Sequence, residues 1–251
     1  MKLTMFEKLL SIATCCMLTV MVNLANAGII LDDNFDRPDG SLVGTNPTPG
    51  PGGVWTNHSG TVGDLLISGG KALIQHGVPS EDANSSFGNF STGVLTAVFD
   101  IIVNDDTPIS GGDYEYFAHF SDGGTSLFRA RLDVVNPSST GDYTLGISSA
   151  GGTAETVFPT DFDFGDTVSV ALSFDFSTGL TSLVIGATTI TSTVPALGDI
   201  LSAFALRQSD SSNNESILLD NLVVSSIPEP GTLALFSLAG LAFVGSTRRR
   251  S

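Results

Sequence analysis

Between residues 28 and 227 the sequence is a succession of short apolar and β-branched runs, each closed by Gly, Asp, Ser or Asn. This rhythm constrains the fold more than any other feature of the chain. The runs are Asp64–Ser68, Ala72–Gln75, Val94–Val103, Tyr114–Phe120, Leu127–Val135, Tyr143–Ser148, Thr167–Phe176, Thr181–Ile185, Thr188–Thr191, Ala203–Gln208 and Ile217–Val224. No stretch among them reads as a helix, and regular short strands with turn signals predict an antiparallel sandwich or jelly roll. In one run Phe128, Ala130, Leu132 and Val134 alternate with Arg129, Arg131 and Asp133, so one face reads as core and the other as solvent or groove. Ser68-Gly69-Gly70-Lys71 and Ser177-Thr178-Gly179-Leu180 read as hairpin turns between adjacent runs. The segment of about 200 residues is long enough for one large all-β domain, 28–226, with its own core. The polar stretch Ser80–Ser86 reads as a loop, and no repeat recurs at fixed spacing.

Charge narrows what such a domain meets. The segment holds five basic residues, Arg37, Lys71, Arg129, Arg131 and Arg207, against twenty-four acidic ones, of which only four are Glu. That balance repels nucleic acid and anionic lipid headgroups and suits cation binding or solubility. Asp at turns accepts local backbone hydrogen bonds, so much of the charge reads as punctuation of a β protein.

Both ends read as targeting segments. Lys2 and Lys8 precede the apolar run Leu9–Val22, and Ala25-Asn26-Ala27 is the small-x-small pattern of a signal-peptidase site with Gly28 following. Residues 1–27 are thus expected to be a secretory signal helix, with signal peptidase as a partner. A lipoprotein site at Cys15 is the alternative, but the apolar run continues past it. Cys15 and Cys16 are the only cysteines, so the segment after the leader offers no disulfide, thiolate metal site or cysteine nucleophile. At the other end Pro228-Glu229-Pro230 is stiff and extended, because both prolines disfavour helix. Gly231 to Thr247 are 17 uncharged residues, at the short end of what spans a core of about 30 Å, with a transmembrane helix expected at 232–246. Arg248, Arg249 and Arg250 would stay cytoplasmic. A plain tail anchor with a proline spacer is the alternative reading.

Pro228, Glu229, Pro230, the apolar run and the three arginines together resemble the PEP-CTERM sorting signal of Gram-negative bacteria. Ile227 and Gly231 depart from the commonest neighbours of that motif without changing its mechanics. The resemblance implies recognition by an exosortase, cleavage near the motif and transient anchoring in the inner membrane. Delivery to the cell surface or the extracellular matrix of a polysaccharide-making bacterium would follow.

A second resemblance lies in the middle. The stretch Asp33-Asn34-Phe35-Asp36-Arg37-Pro38-Asp39-Gly40-Ser41-Leu42, then Trp55, then Leu219-Asp220-Asn221-Leu222-Val223-Val224, resembles concanavalin-like, laminin-G-like jelly-roll domains. It implies an all-β, two-sheet sandwich whose first and last strands pair, with carbohydrate or protein binding as frequent uses and hydrolysis as one branch.

Candidate chemistry is sparse. A retaining glycosidase needs paired carboxyl groups, and Asp113 with Glu115 share one strand face by alternation. The third carboxylate of the laminarinase-like pattern is missing, since Phe117, Ala118 and His119 follow. If the neighbouring strands pair, His119 with Asp113, Glu115, Arg129 and Arg131 would form either a polar binding groove or an ion-paired solvent face. Trp55, delivered by the Pro/Gly loop 44–53, is either core or a sugar-stacking platform. His58, His76 and His119 lie beside no nucleophile elbow and have no zinc-ligand spacing. No cofactor is required; a structural calcium site at Asp33, Asp36, Asp220 and Asn221, by analogy with related jelly rolls, is weighed against turn-capping carboxylates.

Three readings follow. The first is a non-catalytic surface or matrix protein that binds polysaccharide or a partner. The second is a glycoside-active enzyme, and the third is a purely structural surface protein.

Overall fold

Sixteen strands and no helix make up the described part of the computed structural model, which covers residues 27–75, 80–110, 115–208 and 215–228. In chain order they are β1 (Gly28–Asp33), β2 (Gly40–Ser41), β3 (Thr56–Gly60), β4 (Leu66–Ser68), β5 (Lys71–Gln75), β6 (Glu81–Phe90), β7 (Val94–Asn104) and β8 (Glu115–Ser121). There follow β9 (Phe128–Val135), β10 (Thr144–Ser148), β11 (Thr156–Val157), β12 (Thr167–Asp175), β13 (Leu180–Ile185), β14 (Thr188–Thr191), β15 (Leu201–Arg207) and β16 (Ser216–Ile227). The expected leader, Glu229, Pro230, the span 232–246, the arginine tail, His76 and Asp113 lie outside the described residues. Among the described residues no helix is long and apolar enough to cross a membrane.

The strands form two antiparallel sheets. A nine-stranded sheet runs β14-β13-β12-β7-β16-β5-β4-β2, with β1 also on β16, and a seven-stranded sheet runs β11-β10-β9-β8-β15-β6-β3. The chain crosses repeatedly between them, as when β5 leads to β6 in the other sheet and β7 returns, which is the winding of a jelly roll. First and last strands pair, Gly28 opposite Ser226 and Asp33 opposite Leu222. Gly28–Ser226 make one compact unit.

Alternation builds the core. On β7 Leu95, Ala97, Phe99, Ile101 and Val103 are buried while the residues between them face outward. The seven-stranded sheet answers with Phe120, Leu132, Val134, Leu145, Ile147 and Phe204. Phe99 meets Phe204 across the layers at 5.8 Å between ring centres, and Phe204 meets Phe120 edge-on at 5.5 Å. Such side chains contribute about 1.5–3 kcal/mol each on burial, which is what holds the sheets face to face.

The hairpin at residues 68–71 has the expected turn. Ser68 is opposite Lys71, and Gly69 and Gly70 take φ of 57° and 75°, a conformation that glycine adopts without a Cβ penalty.

Two expectations change. The stretch 80–86 is not a loop, since residues 81–90 form β6, paired on one side with β15 and on the other with β3. Its polar side chains are satisfied across the sheet, so a strand without an apolar stripe is stable there. Glu81 is fully buried, and its Oε2 accepts the amides of Gly63, Asp64 and Leu65 at 3.0, 2.8 and 2.7 Å. On β9 the simple alternation breaks at Ala130, whose φ is 51°. Phe128 leaves the core side and lies against His119 and Arg131, while Leu132 and Val134 stay in the core.

Candidate binding face

The face of the seven-stranded sheet that points away from the core carries a cluster of polar and aromatic side chains. Its middle is β15, where Ala203 and Ala205 alternate with the core residues Phe204 and Leu206. Ala205 is opposite Asn84 of β6 and opposite His119 of β8, and Arg207 is opposite Asp82. Tyr116 of β8 is opposite Asp133 of β9. Small residues along the central strand leave room for long neighbours to converge above it.

Those neighbours meet at Tyr116. The Arg131 guanidinium lies 4.3 Å from the Tyr116 ring centre and 5.3 Å from that of Phe128, and the Arg207 guanidinium lies 4.4 Å from Tyr116. Beneath them His119 is fully buried, edge-on to Phe128 at 4.8 Å and to Tyr116 at 5.3 Å, with His58 of β3 at 6.4 Å. Both ring nitrogens of His58 and of His119, and Nε of Arg131, are buried without a hydrogen-bond partner. Arg131 Nη1 donates to the Gly151 carbonyl at 2.6 Å. Ser59 donates to Asp82 Oδ2 at 2.7 Å, and Thr56 to Asn84 Oδ1 at 3.1 Å, which fixes both acceptors on the face.

Burial sets the protonation. It holds His119 well below the ordinary imidazole value, and nearby His58, Arg131 and Arg207 push the same way. His58 is also lowered by burial, against the pull of Asp82 and Asp122. Asp82 is raised by burial, although the Ser59 hydroxyl, Arg207 and His58 oppose it. Burial raises Tyr116 and lowers Arg131. The cluster therefore combines neutral imidazoles with two guanidinium groups. Planar donors and acceptors around a half-buried phenol are suited to holding a polar ligand.

Not every expected site residue joins this face. Trp55 is fully buried and donates from Nε1 to Asp33 Oδ2 at 2.7 Å, so it is a core residue and not a stacking platform. Arg129 turns away from Arg131 and pairs with Asp199 at 2.6 Å, because the irregularity at Ala130 separates the two arginines. His119 forms the floor of the cluster, not an open groove wall. Glu115 is opposite Val134 in the sheet, and its partner Asp113 lies outside the described residues. His58, Asp82, Tyr116, Phe128 and Arg207 were not anticipated here. The alternation of Ala203, Ala205 and Arg207 along one run was the available signal.

The four residues weighed for calcium do not converge. Asp33 is clamped by Arg37 at 2.7 and 2.9 Å and also accepts the Phe35 amide. Asp36 donates its amide to Asn34 Oδ1. Asp220 is ion-paired with Lys71, and Asn221 Nδ2 donates to Asp100 at 3.0 Å. Lys71, Asp100, Asp220 and Asn221 line a small hollow of about 140 Å³ on the nine-stranded sheet. Among the described residues no group of three or more His, Cys, Asp or Glu is arranged to hold a metal ion.

Residues 226–250 match the PEP-CTERM protein-sorting motif. The chain is thus an exported surface protein, membrane-anchored through that signal and processed by an exosortase. No curated protein sequence matches it. Among solved structures, it is similar to the Lotus tetragonolobus seed lectin, at 13% identity over 76% of this chain and 99% of that one, with a TM-score of 0.49. It is also similar to the basic winged bean lectin solved with Tn-antigen, at 14% identity over 76% and 98%, TM-score 0.48. A third is arcelin-5, a lectin-like defense protein from Phaseolus vulgaris, at 12% identity over 76% and 98%, TM-score 0.46.

Proposed function

We propose that the protein is a non-catalytic carbohydrate-recognition domain, displayed at the cell surface or in the extracellular matrix of a Gram-negative bacterium. The observation that carries this reading is the convergence of Arg131 and Arg207 on the half-buried Tyr116 ring, on the outer face of the seven-stranded sheet. Sugar hydroxyls are recognised by planar side chains that donate or accept in pairs and by aromatic rings that cover apolar sugar faces. Asn84, Asp82, Arg131 and Arg207 supply the first kind on this face, and Tyr116 and Phe128 the second. A sorting signal that carries the domain outward brings it to the compartment where extracellular polysaccharide lies.

The test is a glycan array probed with the full chain purified in detergent. Binding that Tyr116→Ala abolishes, without a change in melting temperature, supports the reading. An array with no binder among neutral and acidic polymers sinks it. Release of reducing ends from any bound glycan would replace it with an enzymatic role.

A further inference from the structure

Strand β16 and the sorting signal share residues. The strand runs to Ile227 and the sorting-motif match begins at Ser226, so the signal overlaps the last two residues of the strand. Pro228, the first proline of the motif, follows directly in the sequence. An enzyme that takes its substrate as an extended segment needs backbone groups that are free to pair with it. Just before the motif they are engaged, since Ser226 is opposite Gly28 of β1 and Ser225 is opposite Ile29.

This pairing has a weak end. The ladder of β1 and β16 is interrupted by a bulge between Ile29 and Leu31. On the inner side of the bulge Leu31, Asp33, Leu222 and Val224 are fully buried. On the outer side lie only the rungs Gly28–Ser226 and Ile29–Ser225. Gly28 brings no side chain, Ile29 is 55% exposed, and Ser225 and Ser226 are half-buried. Rungs with so few buried apolar contacts open locally while the rest of a domain stays folded.

We propose that these two rungs are a gate on exosortase processing. The enzyme gains the segment leading into Pro228 only while β1 is peeled back as far as the bulge, so the folded domain sets the rate at which its own sorting signal is used. Processing then follows the population of the opened end, because opening and closing are fast beside cleavage. The bulge confines the opening to residues 28–30 and 225–227, and the buried Asp33 and the core beyond it stay in place. This inference is independent of what the outer face of the seven-stranded sheet binds.

The experiment follows processing of the full chain by pulse–chase in cells that make the exosortase. Ile29→Cys combined with Ser225→Cys places two thiols across one rung, outside the matched motif, at the spacing of facing antiparallel residues that a disulfide spans. Once the disulfide has formed, the cleaved fraction is expected to fall at least about tenfold, in step with the lost open population. Reduction should restore it, and each single cysteine variant should be processed like the unaltered chain. A spacer of about six Gly and Ser residues between Ile227 and Pro228 supplies extended chain without opening the sheet. It is expected to speed processing severalfold in the otherwise unaltered chain and to cancel the effect of the disulfide. The spacer needs no cysteine, so it tests the gate even where the double variant fails to fold. Equal processing of the oxidised and reduced double variant overturns the gate, and so does a spacer that leaves the rate unchanged or fails to rescue the oxidised form.

Discussion

Trp55 Nε1 donates a 2.7 Å hydrogen bond to Asp33 Oδ2, and the same carboxylate is clamped by Arg37. One buried acid thereby ties the end of β1 to the loop before β3, and it also accepts the amides of Phe35 and Thr48. Removing one partner of a buried charged network leaves the others unpaired. Asp33→Ala is expected to destabilise the fold by about 3–5 kcal/mol in denaturant melts. Trp55→Phe keeps the Arg37 clamp and should cost only about 1 kcal/mol beyond the lost packing. Because Trp55 is the sole tryptophan and fully buried, a red shift of its emission in Asp33→Ala reports the opening of this joint.

Glu81 should behave as a structural clamp in spite of its charge. Its Oε2 receives three consecutive amides, and Oε1 receives the Asn57 side chain at 3.2 Å. Glu81→Ala is expected to lower stability by about 2–4 kcal/mol, since several buried donors lose a charged acceptor. Glu81→Gln, which keeps one carbonyl oxygen for the amides, should lose less than half of that. Equal losses would show that shape rather than acceptor chemistry matters at this position.

Acid should weaken the fold first through the histidines. His119 and His58 have folded values below the ordinary 6.5, so the unfolded chain takes up protons before the folded one does. Their contribution is complete above about pH 6.5 and is lost as pH falls below it. Asp82, raised above 3.8, has the opposite sign, and Asp161, lowered chiefly by the Ser139 hydroxyl, loses its contribution only below 3.8. Melting temperature is therefore expected to fall between pH 7 and pH 5, and His119→Leu should flatten that slope. An unchanged slope in this variant would assign the acid sensitivity to other groups.

Ending the chain before Pro228 should release the domain from the membrane fraction, because the sorting signal occupies 226–250 and the compact unit ends at Ser226. Fractionation of cells expressing the shortened and complete chains checks this. Retention of the shortened chain in the membrane would place the anchor elsewhere.

Read without coordinates, the sequence determined the class of fold and the destination. Alternation along runs such as Val94–Val103 and paired glycines at 69 and 70 are local signals, and a strand's period or a turn's φ depends on a few adjacent residues. The same holds for the sorting signal, which is contiguous. What lay beyond it were the strand built from polar residues 81–90 and the face around Tyr116. Glu81 is stable in a strand only because amides from residues 63–65 reach it, and a sequence of polar residues does not announce partners so far along the chain. Likewise Arg131 and Arg207 meet at one ring because β8 lies between β9 and β15. A single left-handed residue, Ala130, decides that Phe128 joins them while Arg129 departs to Asp199. Sheet order and one bulged backbone conformation are properties of the folded whole, and they placed the cluster around Tyr116.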